Sequence, residues 1–182
     1  MSERASRVLR LLGPRGSSVA APSQDAVLAR LGLPACEVAP AVAHVPAVRA
    51  GTLVFTSGQL PFRDGELLAT GKLGDALGVA DGQACAQWCA LNALAAIRSE
   101  IGDLGQVERV VKVVVYVASG ALFVGQARVA DGASELLGRV FGDAGRHARS
   151  VVGVSALPLD APVELELTVE IDPCSCDASH IR

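Results

Sequence analysis

Residues 163–171 alternate strictly between apolar and polar side chains. The odd positions hold Val, Leu, Leu, Val and Ile, whereas the even positions hold Glu, Glu, Thr and Glu. Because successive side chains of a β-strand point to opposite faces, this pattern predicts a strand with one buried face and one polar face. Residues 110–117 are apolar on both faces except at Lys112, which predicts a buried interior strand of the same sheet.

Local patterns predict the remaining elements. They are a short helix over residues 24–31 capped by Ser23, extended coil over 33–48, a strand at 53–56, a hairpin turn at 63–65, a helix over about 82–101 capped by Asp81, a second helix from 123 or 126 to 141, and a strand at 150–156. Two main helices can cover only one face of a mixed β-sheet, so the predicted fold class is α+β with both helices on that face. The uncovered face, expected to include Val111 and Val113, then needs another subunit.

The length of 182 residues predicts one domain between two short ends. Residues 1–23, rich in Arg, Ser, Gly and Pro, are expected to form a flexible N-terminal extension, residues 24–172 the domain, and residues 173–182 a C-terminal tail. Hydrophobic residues make up 51% of the chain but aromatic residues only 3%. The core is therefore expected to consist mainly of Ala, Val, Leu and Ile.

Charge and motif content argue against several classes of protein. The net charge of −3 and the scarcity of aromatic residues oppose a nucleic-acid partner, and the one basic cluster, at residues 146–149, is interpreted as a small anion site. No apolar run reaches the ~20 residues of a transmembrane helix, so no membrane partner is expected. The sequence contains no nucleotide-binding, zinc-protease or serine-hydrolase motif.

Five cysteines occur at spacings that do not suggest a disulfide framework, which favours a reducing compartment and a cytoplasmic location. Cys85 and Cys89 lie four residues apart in the first long helical pattern, so they are expected to share a buried face and to be unreactive. Cys174 and Cys176 with His180 leave a metal site open, but a frayed terminus is the favoured interpretation.

Four segments of the chain resemble the RidA/YjgF family of reactive-intermediate deaminases. They are residues 48–61 (VRAGTLVFTSGQLP), 110–117 (VVKVVVYV), 148–154 (ARSVVGV) and 157–166 (LPLDAPVELE). The similarity covers about residues 25–172, and its specific part is the arginine segment followed by the segment at 157–166. The preceding helix and the longer turn after the SGQ strand are similar to a longer branch of the family.

The resemblance implies a chorismate-mutase-like α+β fold that assembles as a homotrimer, with pockets in the clefts between subunits. It also implies hydrolysis of enamine or imine intermediates, such as 2-aminoacrylate, to 2-keto acids and ammonia. The expected partners are the small imine or carboxylate substrate and two further copies of the chain. No metal or organic cofactor is expected.

Residues carry over from the family at matching positions. The resemblance assigns Arg149 to the substrate carboxylate, Glu164 to the positioning or activation of water, and Ser57 and Gly58 to the pocket floor. The chemistry suits them, because a planar guanidinium binds a carboxylate with two parallel hydrogen bonds and a carboxylate can act as a general base. Without the resemblance, Arg149 would be interpreted as a surface ion pair and Glu164 as one of several solvated glutamates.

Three pocket positions depart from the family pattern. His44 stands where well-studied members have a tyrosine, Val151 replaces a cysteine, and Asp131 replaces a helix asparagine. A histidine keeps a flat polar ring, whereas an added carboxylate beside an anionic substrate would repel it unless it points away. These changes leave three functions open: an imine deaminase, a non-catalytic or regulatory trimer that binds small carboxylates, and, less favoured, an endoribonuclease.

Overall fold

The computed structural model describes residues 23–30 and 44–173. Predictions for the N-terminal extension, for the coil before residue 44, and for Cys174, Cys176 and His180 in the tail lie outside these residues. The helices are α1 (Gln24–Arg30), α2 (Val79–Ile101) and α3 (Gln126–Phe141). The strands are β1 (Ala47–Ala50), β2 (Leu53–Thr56), β3 (Phe62–Arg63), β4 (Glu66–Leu67), β5 (Val107–Ala118), β6 (Ala148–Val154) and β7 (Val163–Ile171).

The main sheet has five strands in the order β1-β2-β7-β5-β6, and β3 and β4 form a separate hairpin. Only β5 and β6 are parallel, because α3 carries the chain back between them; the other neighbours are antiparallel. β7 occupies the centre, and its apolar residues are at most 1% exposed whereas its polar residues are half-buried on the other face. The alternation in residues 163–171 is therefore confirmed as one face of a mixed α+β sheet.

Both long helices pack on the face of the sheet that carries the apolar side of β7. They approach each other closely where Gly132 of α3 meets the backbone of Gln83, and the Gln83 side-chain amide donates to the carbonyl of Arg128 at 2.9 Å. A side chain at residue 132 would overlap the backbone of α2 at Gln83. Within the described residues, no helix combines the length and the apolar character that crossing a bilayer requires.

Several boundaries differ from the sequence-based prediction. β5 spans residues 107–118 rather than 110–117, and β6 spans residues 148–154 rather than 150–156. α2 begins at Val79, and Asp81 lies inside its first turn, where its carboxylate accepts from the amide of Gly78 at 2.9 Å. The carboxylate stabilises the start of the helix because it lies beside backbone N–H groups that have no acceptor within the helix. The predicted coil over residues 33–48 ends too late, because residues 47–50 form β1, which the tight turn at Gly51 with φ +64° joins to β2.

The prediction that Val113 lies on the uncovered face is wrong. Val113 is fully buried beneath the helices, whereas Val111 lies at an irregularity between Val110 and Lys112, where the register with β7 shifts. The extra residue changes which side chains face the helices. Opposite the helices, the open face carries the polar residues of β7, and Val48, Phe55 and Val152 are 39–52% exposed there.

Asn92 is a buried polar residue of α2 that fixes the segment following β2. Its side-chain amide donates to the carbonyl oxygens of Leu60 and Phe62, at 2.9 and 3.0 Å. The chain between Ser57 and the β3–β4 hairpin is thereby held against the helix. This contact gives residues 57–59 a defined position at the end of the sheet.

Cys85 and Cys89 are expected to react only slowly with a small thiol reagent in the folded protein. Both are at most 1% exposed, burial above all raises the pKa of Cys85 to about 11, and burial raises the pKa of Cys89 well above its usual value. Mass spectrometry after a short iodoacetamide pulse measures the modification of each residue, with the unfolded chain as reference. Labelling of either thiol at the unfolded rate would contradict this expectation.

Candidate functional site

Arg149, on β6, points to the helix-covered face of the sheet and contacts α3. Its Nη1 atom donates to a carboxylate oxygen of Asp131 at 2.9 Å and to the hydroxyl of Ser134 at 3.0 Å. These two acceptors are three residues apart on α3 and therefore share one side of the helix. The Arg149 side chain is 26% exposed, so it lies at the rim of the covered face.

A histidine extends this group of hydrogen bonds. His147 Nε2 lies 3.0 Å from the Ser134 hydroxyl, and its Nδ1 lies 2.6 Å from the carbonyl oxygen of Gly145. We call Asp131, Ser134, His147 and Arg149 the arginine cluster. Both ring nitrogens of His147 thus contact residues of its own subunit. The sequence-based interpretation instead grouped His147 with Arg146 in a small anion site, and Arg146 is exposed.

Glu164, on β7, points to the open face and lies against Gly58. A β-carbon built on Gly58 would overlap one carboxylate oxygen of Glu164 and lie 2.7 Å from its carboxyl carbon. Because glycine has no β-carbon, it leaves room at position 58 for the Glu164 carboxylate. Burial, followed by the charge of Glu166, raises the pKa of Glu164, and Glu166 accepts a hydrogen bond from the Tyr116 hydroxyl at 3.3 Å.

The other predicted site residues are distributed around these two groups. Ser57 donates its hydroxyl to the carbonyl oxygen of Val45 at 2.6 Å, which leaves its oxygen able to accept. His44 is exposed at the start of the described segment before β1. Val151 is partly buried and packs against the core beneath the helices. We call Ser57, Gly58 and Glu164 the glutamate cluster.

One chain does not bring the two clusters together. Arg149 lies beside Val113 in the register of β5 and β6, whereas Glu164 lies beside Tyr116 in the register of β5 and β7. Val113 and Tyr116 are three residues apart on one strand, so the side chains at these levels point to opposite faces. Arg149 and Glu164 of one chain therefore face opposite sides of the sheet.

Sequence reasoning named Asp131 as a pocket residue but missed its ion pair with Arg149, and it did not identify Ser134. The available signal was the spacing of Asp131 and Ser134, which places an acid and a hydroxyl on one side of a helix. Among residues 23–30 and 44–173, no three His, Cys, Asp or Glu side chains are grouped as metal ligands. The arginine cluster presents a guanidinium whose positive charge is partly neutralised by Asp131. Its N–H groups other than those on Nη1 can still donate to a ligand.

A mixed sheet with two helices on one face, and an arginine presented at the rim of that face, define a class of small α+β proteins with the chorismate-mutase-like arrangement. Comparison with known proteins gives the particular family. Residues 25–171 match the family described as YjgF/chorismate-mutase-like, a description that also carries the name endoribonuclease. The chain belongs to this YjgF/RidA family.

Individual relatives are similar over most of their length. Protein TCP17 of Trypanosoma cruzi is 46% identical over 159 residues, which cover 86% of this chain and 99% of that protein. The crystal structure of Atu1372 from Agrobacterium tumefaciens, a protein of unknown function, is 41% identical with a TM-score of 0.77, covering 82% of this chain and 94% of that one. A structure from Shewanella oneidensis, described as a candidate endoribonuclease, is 30% identical with a TM-score of 0.80, covering 82% and 100%.

Proposed function

We propose that this protein hydrolyses small enamine or imine acids of the 2-aminoacrylate type to 2-keto acids and ammonia. The observation that carries the proposal is the geometry of Arg149, whose Nη1 is held by its own subunit. Among the described residues, Nε and Nη2 of this arginine have no hydrogen-bond partner. Together they form the two-pronged edge that binds a carboxylate.

Glu164 supplies the proton chemistry of the proposed reaction. An enamine substrate first tautomerises to the imine, its terminal carbon gaining a proton and its nitrogen losing one. Water then adds to the carbon of the C=N bond, the resulting carbinolamine loses ammonia, and a carbonyl remains. One carboxyl group can take a proton from the oxygen and give a proton to the nitrogen in each of these two steps, so that the departing ammonia carries both protons of the water. A raised pKa suits both tasks, because it brings the protonated and ionised forms closer in population near neutral pH.

The proposed active assembly is a homotrimer with its pockets between subunits. Arg149 and Glu164 lie on opposite faces of one sheet, so a shared pocket requires the arginine cluster of one copy beside the glutamate cluster of the next. The exposed Val48, Phe55 and Val152 on the open face support such an assembly, because contact between copies would bury them. Closed cyclic symmetry would complete every pocket equally.

The test is an assay in which an enamine acid is generated in situ and keto-acid or ammonia release is followed. The wild-type protein is expected to accelerate release, and Glu164→Gln to remove most of the acceleration. Arg139→Ala, a change at an exposed arginine on α3, serves as the matched control and should keep full activity. Light scattering on the same samples should give three copies per particle, and a monomer at micromolar concentration would contradict the shared pocket.

A non-catalytic carboxylate-binding trimer is the second candidate, and the ion pair between Asp131 and Arg149 favours it. The pair reduces the positive charge available to a ligand, and Val151 supplies no thiol. Thermal stabilisation by small carboxylates without accelerated imine hydrolysis would select this function. Release of fragments from single-stranded RNA would instead select an endoribonuclease, which the net charge of −3 opposes.

A cytoplasmic setting is part of the proposal. Among the described residues, Cys85 and Cys89 are both free thiols in the core, and free thiols suit a reducing compartment. Fractionation of cells that express the tagged protein tests the location. Recovery from an oxidising compartment would contradict it.

Gly58→Ala is expected to lower the hydrolysis rate about 10- to 100-fold, because small misplacements of a catalytic group have effects of that size. The new methyl group would overlap the Glu164 carboxylate, which must swing away. The unfolding temperature should change little, because the displaced group is the end of a flexible side chain. In a Glu164→Ala background the same change should have no further effect on the rate, and an independent loss there would refute the steric explanation.

A further inference from the structure

We propose that Ser134 and His147 are positioning residues that hold the Arg149 guanidinium in the orientation that receives a carboxylate. The inference rests on the ligand-binding role proposed above for Arg149. It concerns two residues whose own contacts are with the subunit rather than with a ligand.

The chain of hydrogen bonds starts at the carbonyl of Gly145. A carbonyl oxygen can only accept, so the His147 Nδ1 atom, 2.6 Å away, carries the proton. In the neutral ring Nε2 is then an acceptor, and the Ser134 hydroxyl, 3.0 Å away, donates to it. The lone pairs of the Ser134 oxygen are thereby left to accept from Arg149 Nη1 at 3.0 Å.

Both hydrogen-bond partners of the His147 ring belong to α3 and the turn that follows it. Gly145 lies in a single turn of 3₁₀ helix that follows α3 directly, over Gly142–Gly145. Its backbone packs so closely on the carbonyl group of Leu137 that a β-carbon at Gly145 would overlap it. Ser134 is itself on α3, so the His147 ring is held at both nitrogens by the same helix and its C-terminal turn.

Ser134 is expected to keep Asp131 from occupying the edge of the Arg149 guanidinium that receives the ligand. Asp131 contacts Arg149 end-on, through one oxygen and Nη1 alone. Carboxylates prefer the two-pronged contact with a guanidinium when nothing prevents it. Ser134 is a second acceptor on Nη1 and holds that nitrogen toward α3. Without it, Asp131 is expected to close onto the Nε and Nη2 edge and to compete with the ligand.

The first experiment needs no ligand. Nitrogen-15 NMR of the arginine side chains reports rotation of the Arg149 guanidinium, whose signal is identified by its loss in Arg149→Lys. Rotation should be slow in the wild type and in Ser134→Thr, which keeps a hydroxyl, and fast in Ser134→Ala. His147→Asn should also be fast, since its amide can replace Nδ1 at Gly145 but offers Ser134 no acceptor in the Nε2 position. Unchanged rotation in both variants overturns the proposal.

The second experiment measures binding of pyruvate as a stable 2-keto acid. Ser134→Ala and His147→Asn should raise the dissociation constant about fivefold or more, the value of one hydrogen bond. Adding Asp131→Asn to Ser134→Ala should recover most of the affinity, because the competing carboxylate is removed. Ser99→Ala, an exposed helix serine on α2, is the control and should change neither rotation nor binding.

The outcomes separate this inference from the proposed function. If the wild type binds no pyruvate but the rotation results are as expected, the positioning stands and the proposed function fails. If binding weakens equally in Ser134→Ala and Ser134→Thr, the hydroxyl has no positioning role and the inference is wrong. Failure of Asp131→Asn to recover affinity in the Ser134→Ala background also contradicts it.

Discussion

Replacing Arg149 with alanine is expected to abolish imine hydrolysis and carboxylate binding while the protein remains folded and assembled. The side chain contributes one ion pair and one hydrogen bond to its own subunit, and Asp131 is 44% exposed, so losing both contacts costs about 1–2 kcal/mol. Arg149→Lys keeps the charge but loses the two-pronged edge, and binding should weaken by about 1.5–3 kcal/mol. Titration calorimetry with pyruvate measures the binding, and the imine assay the turnover.

Two results would contradict this assignment. Full activity of Arg149→Ala on imine substrates would show that the family mechanism does not operate in this protein. A variant that fails to fold or to assemble would show that Arg149 is a structural ion-pair residue. The exposed Arg139→Ala variant controls for the loss of one positive charge on the same side of the domain.

Gly132→Ala is expected to lower the free energy of unfolding by about 3 kcal/mol, the upper part of the range for overpacking. A β-carbon at this position would overlap the Gln83 carbonyl oxygen and lie 2.9 Å from the Gln83 α-carbon. Neither obstacle is a flexible side chain, so α2 and α3 must move apart. Urea denaturation monitored by circular dichroism gives the change.

The same helix offers a matched control. Gly138 is exposed on α3, and a β-carbon there meets nothing within 4 Å. Gly138→Ala should therefore stabilise the protein by about 0.5–1 kcal/mol, because alanine is the better helix former. Equal effects of the two substitutions would show that the close contact at Gly132 costs nothing to open.

Sequence patterns predicted the elements whose signals are local. The alternation in residues 163–171 and the helical spacing in α2 depend only on neighbouring residues, and both elements were found. β1 has four residues, and its first two were predicted to belong to the proline-rich coil that precedes it. The faces of β5 were misassigned because the irregularity near Val111 has no sequence signature of its own.

The site was less accessible to sequence reasoning, since its contacts join distant parts of the chain. Asp131 and Arg149 are 18 residues apart, and their ion pair depends on how α3 docks beside β6. The close approach of Gly58 to the Glu164 carboxylate depends on how residues after β2 reach β7. The roles of Arg149 and Glu164 toward a ligand stay predictions, as does the trimer.

The position of β7 has a consequence for synthesis of the chain. Among the strands that the structure describes, β7 is synthesised after all the others, yet it is the middle strand of the sheet, where it pairs with both β2 and β5. Until residues 163–171 emerge, the nascent chain can hold only two separate halves, β1-β2 and β5-β6. Each half then exposes an unpaired strand edge, a known route to aggregation. The two halves are therefore joined only once residues 163–171 are available, and truncation before residue 163 leaves them unjoined.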